Sequence, residues 1–243
     1  MVSGNGLGIF SVQLTNLSSS TTYYIKAYAI NARGIGYGDQ IAFTTNSIIK
    51  DIENNTYGIV MIGTSWWFTE NLKTKHYLNG DEILTTIPAS KDITGEATPK
   101  YQWAYDSIES NVSTYGRLYT GYVVLDNRGV CPTGWHVPSD ADWSTLITYL
   151  GGEKIAAGKL KEIGLSHWLS PNTAATNEFG FSAVPGGSRD YTGKFNSLGN
   201  YATWQTATSS SFNAYHIQWN SGELFIGGTT RNYGFSVRCI RDN

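Results

Sequence analysis

The side chains in this sequence best suited to chemistry are aromatic. Trp168, Tyr191, Tyr201, Tyr215 and Trp219 fall in one Gly- and Ser-rich stretch, accompanied by Asn172, Arg189 and His216. Rings flanked by amides and a guanidinium can form a platform that stacks on a glycan or anchors a protein loop, because both partners use aromatic anchors with polar orienting groups. The competing reading is that most of these rings fill a core, and Trp135, Trp143 and Trp204 are expected there. Arg189 reads the other way. A cation in a Gly-Ser turn is rarely buried unless paired, so it is expected at the surface.

Catalytic and metal signatures are weaker. The four histidines, His76, His136, His167 and His216, stand far apart and lack the His-x-x-x-His spacing of zinc ligands. No Gly-x-Ser-x-Gly elbow occurs. Asp140 and Asp142 sit where a helix should begin, and capping with the helix dipole accounts for them. The expectation is therefore no catalytic residue, no metal and no cofactor. A distant carboxylate pair leaves no local motif, which keeps a diverged enzyme as a third reading.

Composition narrows the partners. The formal net charge is -2 with Lys and Arg scattered, so no basic stripe attracts nucleic acid. No apolar run approaches the roughly 18 residues of a membrane span, so no membrane insertion is expected from this chain. Low charge with 27 Gly and 14 % aromatic residues fits a β- and loop-rich globular protein. The first residues lack the basic region and apolar core of a secretory signal. The chain reads as starting inside a domain, which leaves room for a signal and anchor upstream.

The two cysteines, Cys131 and Cys239, leave two alternatives. Paired, they close a loop of about 100 residues, worth roughly 4–5 kcal/mol in the chain-entropy model, and place the protein in an oxidising compartment. Unpaired, they are buried thiols of a cytosolic protein.

The elements that must position these residues follow from periodicity. Phe10 to Leu14, Tyr24 to Ile30 and Gln40 to Thr44 read as three strands, followed by a polar linker over 46–56. Tyr57 to Ile62 and Trp66 to Phe68 read as strands, with a turn at Asn79-Gly80. Ser139 is an N-cap with Asp142 three residues on, and Trp143, Leu146, Ile147 and Leu150 form one helical stripe ending at Gly151-Gly152. A second helix is expected from Glu153 to Ile163. Hairpins turn at Asp190 to Lys194 and at Asn220 to Gly222, and Phe235 to Ile240 reads as a final strand.

Two resemblances follow from ordered motifs. Leu17, Tyr24, Asn31, Gly34 and Phe43-Thr-Thr45 resemble the C-terminal half of a fibronectin type III domain, which implies a partial β-sandwich over 1–45 with exposed apolar surface. Residues 57–243 resemble the Fibrobacter succinogenes major paralogous domain family. The motifs are Trp67-Phe-Thr-Glu-Asn-Leu72, Tyr77-Leu-Asn-Gly-Asp81, Tyr115-Gly-Arg-Leu-Tyr119, Cys131-Pro-Thr-Gly-Trp-His-Val-Pro138, Asn177-Glu-Phe-Gly-Phe-Ser182, Pro185-Gly-Gly187 and Gly234-Phe-Ser-Val-Arg-Cys239. The resemblance implies a secreted or surface protein and an α+β, C-type-lectin-like fold related to formylglycine-generating enzymes, with two helices, short antiparallel strands and long loops. It also aligns both cysteines with the structural bracket of the domain.

Fold analogy does not carry function, so the sites are weighed on their residues. A calcium-held sugar site is disfavoured because Ser170-Pro-Asn172 and Trp219-Asn-Ser221 lack the carboxylates calcium requires. Thiol-based oxidase chemistry is disfavoured because the only cysteines belong to the bracket. Arg238, beside Cys239, reads as making an ion pair or a backbone contact. The leading expectation is a non-catalytic, extracytoplasmic binding or adhesion module for a glycan or protein, with its site in the loops of 166–232. The alternative is a structural or assembly module acting through residues 1–45.

Overall fold

The computed structural model describes residues 12, 14, 17, 21–44, 48–211 and 213–242. The chain divides into two compact units, Met1–Ile48 and Ile49–Asn243. The expected strand from Phe10 to Leu14 lies largely outside the described residues, as does Thr45.

In the first unit β1 (Thr22–Asn31) and β2 (Gly34–Thr44) form an antiparallel hairpin, with an irregularity between Lys26 and Tyr28. Its alternating apolar residues emerge on both faces. Tyr24 is 67 % exposed and Tyr37 is 68 % exposed, and Ile30, Ile35 and Ile41 are also exposed.

Among the described residues thirteen further strands follow, and from Ile49 on they lie in the second unit. They are β3 (Ile48–Lys50), β4 (Thr56–Ile62), β5 (Ser65–Phe68), β6 (Gln102–Trp103), β7 (Leu118–Thr120), β8 (Trp135–His136), β9 (Ser188–Arg189), β10 (Phe195–Asn196), β11 (Tyr201–Gln205), β12 (Asn213–Gln218), β13 (Leu224–Gly228), β14 (Gly234–Phe235) and β15 (Ile240–Arg241). They assemble as β10-β9-β14-β7-β6, as β11-β12-β13 and as β3-β4-β5-β15-β8. The helices are short: single turns α1 (Val112–Tyr115) and α2 (Gly121–Val124), then α3 (Asp140–Tyr149) and α4 (Glu153–Leu160).

The α+β, C-type-lectin-like expectation is therefore corrected. Among the described residues fifteen strands in four sheets outweigh two helices of ten and eight residues. The chain has few long 3.6-period apolar runs but many short alternating segments rich in Tyr, Trp, Ile and Thr. Such segments satisfy their backbone groups by pairing, even two residues at a time.

The two longer helices start as the sequence dictates. The Ser139 side chain accepts from the Asp142 amide, and the Asp142 carboxylate accepts from the Ser139 amide at 2.8 Å, a complete capping box. Trp143, Leu146, Ile147 and Leu150 are buried as a stripe. Gly151 and Gly152, at φ +97° and +101°, take the left-handed turn that stops α3. Helix α4 ends three residues before the expected Ile163, because Lys161 turns extended and pairs with Ala183.

The terminal segment does not form one strand from Phe235 to Ile240. It passes through three sheets in turn. β14 pairs with β7 and β9, Ser236 bridges to Trp204 of β11, and Ile240 of β15 lies between Trp67 of β5 and His136 of β8. Cys239 is bonded to Cys131 within this crossing, and the Cys239 carbonyl accepts from the Phe68 amide. Around it lie two apolar clusters, one centred on Trp143 and one on Phe68, Tyr119 and the disulfide.

The bond spans 108 residues of sequence. Replacing both cysteines by Ala should lower unfolding free energy by roughly 4–5 kcal/mol if the chain-entropy account holds. Denaturant melts of both forms check this, and a loss below about 1 kcal/mol would show that the sheet crossing holds without the bond.

Candidate functional site

The structure separates the sequence-selected residues. Trp168 is buried, and its indole N–H donates to the Ala183 carbonyl at 2.9 Å. Tyr215 is buried too, stacked on Trp143 with ring centroids 4.9 Å apart, and its burial pushes the phenol up to about 12. Asn172 is a loop clamp, donating to the carbonyls of Glu162 and Gly164 at 2.8 Å each. Trp219 is half-buried against the Trp143 cluster. None of these four forms an open platform.

Arg189 corrects the surface expectation most sharply, since it is 0 % exposed. Its guanidinium donates to the carbonyls of Ala89 at 2.9 and 2.7 Å, Lys91 at 2.6 Å and Asp190 at 3.0 Å, and lies 4.1 Å above the Trp103 ring. The Gly-Ser turn does not leave it in water, because a separate loop wraps over it and supplies acceptors.

Two residues do remain together on a sheet face. On β11–β13, His216 stacks on Phe225 at 5.3 Å with Tyr201 6.1 Å away, all partly exposed. Burial lowers the His216 pKa below its ordinary value, which favours the neutral imidazole on this apolar strip. Tyr191 lies apart from them, edge-on to Tyr233 at 5.4 Å.

An open cleft lies outside this set. A cleft of about 630 Å³ opens between the β4–β5 turn and the outer face of α3. Its floor is Ile62, Trp67 and Leu146. One wall is the turn Gly63-Thr64-Ser65, and the other carries Asp142, Ser144, Thr145, Thr148 and Tyr149. Positions 144, 145, 148 and 149 share the helix face opposite the buried stripe, because three- and four-residue spacings fall on one side.

Local structure fixes the cleft's shape. Ile62 pairs with Ser65 across the tight turn, and Gly63 has φ +65°. A Cβ at Gly63 would lie 3.2 Å from the Tyr149 ring, so glycine allows the ring to rest edge-close to the turn. Tyr149 is supported by Phe179 at 5.6 Å yet stays 55 % exposed. The hydroxyls of Thr145 and Thr148 donate to carbonyls one turn back, at 2.9 and 2.8 Å, which leaves their oxygen lone pairs as acceptors. At Asp142 the bonds from Ser139 and the contact with His136 all fall on Oδ2, so Oδ1 is the oxygen left for a ligand.

The sequence held a signal for this surface. The buried stripe of α3 was legible, and the remaining positions read Ser, Thr, Thr, Tyr, a hydroxyl-bearing face ending in an aromatic. What it could not show was the β4–β5 turn standing opposite. Among the described residues no group of three His, Cys, Asp or Glu side chains is placed to hold a metal ion, and the cleft offers a hydroxyl-rich lining with one carboxylate.

The burial of Arg189 has a direct test. Arg189→Met should cost about 2–5 kcal/mol in urea unfolding, because three carbonyls lose their donor. A surface residue would cost less than about 0.5 kcal/mol, and a result in that range would refute the carbonyl cage.

A search of curated proteins and a search of solved structures each return no match. The Fibrobacter succinogenes major domain model matches residues 60–241, a span that includes the cleft, the disulfide and the buried arginine of β9. The motifs from Trp67 to Cys239 that carry the resemblance all fall inside that span, and the chain belongs to the Fibrobacter succinogenes major domain family.

Proposed function

We propose that this chain is a non-catalytic binding module that works outside the cytoplasm, with the α3 cleft as its ligand site. The cleft carries the reading. Ligand sites are concave, of some 300–1,000 Å³, largely apolar at the floor and furnished with a few placed polar groups, and this surface has that form. The disulfide supports the location, because such bonds persist in oxidising compartments. No helix among the described residues is long and apolar enough to cross a membrane. The ligand is a glycan or a protein segment, both of which an exposed aromatic with hydroxyl neighbours can anchor.

A second reading rests on the hairpin. Exposed Tyr24, Tyr28, Ile30, Ile35, Tyr37 and Ile41 give β1 and β2 apolar residues on both faces, and such surfaces mark contact sites. On that reading the chain assembles through its first unit.

Glycan-array and pull-down binding, run on the wild type, Tyr149→Ala and Tyr201→Ala, separates the surfaces. Tyr149→Ala should weaken binding about tenfold or more, as loss of a central aromatic anchor does, while Tyr201→Ala leaves it unchanged. Binding that survives Tyr149→Ala would remove the cleft from the account. Concentration-dependent sedimentation without any ligand would favour assembly instead.

A further inference from the structure

Taking the cleft as the ligand site, we infer that its ligand is a neutral sugar chain, one ring of which stacks on Tyr149. The lining chooses between ligand classes. No Lys, Arg or His is among the residues that line it, and the single charged group is Asp142. An anionic ligand, whether uronate, sulfate, phosphate or acidic peptide, would meet a like charge with no Lys or Arg in the lining to offset it, and the neighbouring His136 already sits between Asp142 and Asp242.

A purely apolar ligand fits no better. It would bury the hydroxyls of Thr64 and Ser65 without a partner and strip water from the acceptor lone pairs of Thr145 and Thr148, and each polar group left unpaired on burial weakens binding. What the wall requires is a partner with several donors and acceptors at close spacing. The oxygens of Thr145 and Thr148 have already committed their hydrogens to the helix, so they seek donors, as does Oδ1 of Asp142. Sugar hydroxyls are such donors, and each is also an acceptor for the hydroxyls of Thr64 and Ser65 across the cleft.

The ring supplies the remaining term. Tyr149 is flanked by Phe179, tilted at 58° with centroids 5.6 Å apart, and by the Gly63 turn, so its ring is restricted before a ligand arrives. A pyranose presents a flat C–H face to such a ring and hydroxyls at its rim. That matches a cleft with an aromatic at one end and hydroxyls along both walls. The absence of ion pairs between site and ligand gives a further expectation: binding should not respond to salt.

Isotope-labelled full chain titrated with cellohexaose, xylohexaose and mannohexaose, beside an oligogalacturonate and an oligolysine peptide, tests this. At least one neutral hexaose should shift the amide signals of Gly63, Thr64, Ser144 and Thr148. Its affinity should change less than twofold between 50 and 500 mM NaCl, on the order expected without ionic contacts. Tyr149→Ala should weaken that binding about tenfold or more, and Tyr149→Phe less than about threefold, since the ring face is kept. If only the oligogalacturonate or the oligolysine shifts the cleft amides, the sugar assignment is overturned while the cleft stands. If shifts map outside the cleft, the site itself falls. If no neutral hexaose shifts the cleft at millimolar concentration, the assignment is overturned as well.

Discussion

Buried cations donating to main-chain carbonyls are the interaction on which this fold depends. A body made of two- to seven-residue strands joined by long loops buries many carbonyls that no ladder can pair. Lys161 and Arg189 are 0 % exposed and Arg238 is 1 % exposed, and none of the three has a carboxylate in direct ion-pair contact. Lys161 donates to the carbonyls of Thr173, Gln218 and Ser221 at 2.7, 3.1 and 2.9 Å, one for each ammonium hydrogen. Arg238 donates to the Phe181 carbonyl and to Asn71 Oδ1, which also takes the Trp204 indole N–H. Aromatic faces complete the shells, with Arg238 4.1 Å from the Phe181 ring and Lys161 5.5 Å from Trp168.

Burial works against these charges. It pushes the Lys161 ammonium down to about 8 and the Arg238 guanidinium down to about 9. Both values lie above neutral pH, so the charged forms persist and keep every donor they need. A neutral amine at Lys161 would have only two hydrogens for three carbonyls. The cost of desolvating each cation is thus offset by satisfying several loop carbonyls at once. The same bonds tie distant segments of the body together. Asn71 and Arg238 join the segment between β14 and β15 to the loop after β5, while Lys161 anchors the end of the helix that follows α3.

Some of this was legible in the sequence. Ser139, Asp142 and the Trp143 stripe specify α3 locally, because caps and periodicity act within one helix. The hairpin turns at Asp190 and Asn220 are local in the same sense. Arg189 was not legible, because its acceptors at Ala89 and Lys91 lie 100 and 98 residues away. The terminal strand misled for a related reason: alternation showed that Phe235 to Ile240 is extended, but not that it leaves one sheet for another. The lectin-like α+β expectation failed because motifs report ancestry and local turns, whereas sheet membership is decided by distant partners. Of the selected aromatics, ring type alone could not tell Trp168 and Tyr215 in the core from Tyr201 at the surface. The cleft was half legible, as one helix face without its opposing turn.

Native-state hydrogen exchange on wild type and Lys161→Met tests the cation account most directly, because it resolves where protection is lost. The account predicts a local loss. Amides of Gly158, Thr173 and Thr176, which bond Gly222, Trp219 and Gly158 across the segments that Lys161 joins, should exchange about tenfold faster or more. Val60 and Trp67, paired in β4–β5, should lose no more protection than the global stability change requires. Unchanged exchange at Gly158, Thr173 and Thr176, or an even loss across all sheets, would contradict it.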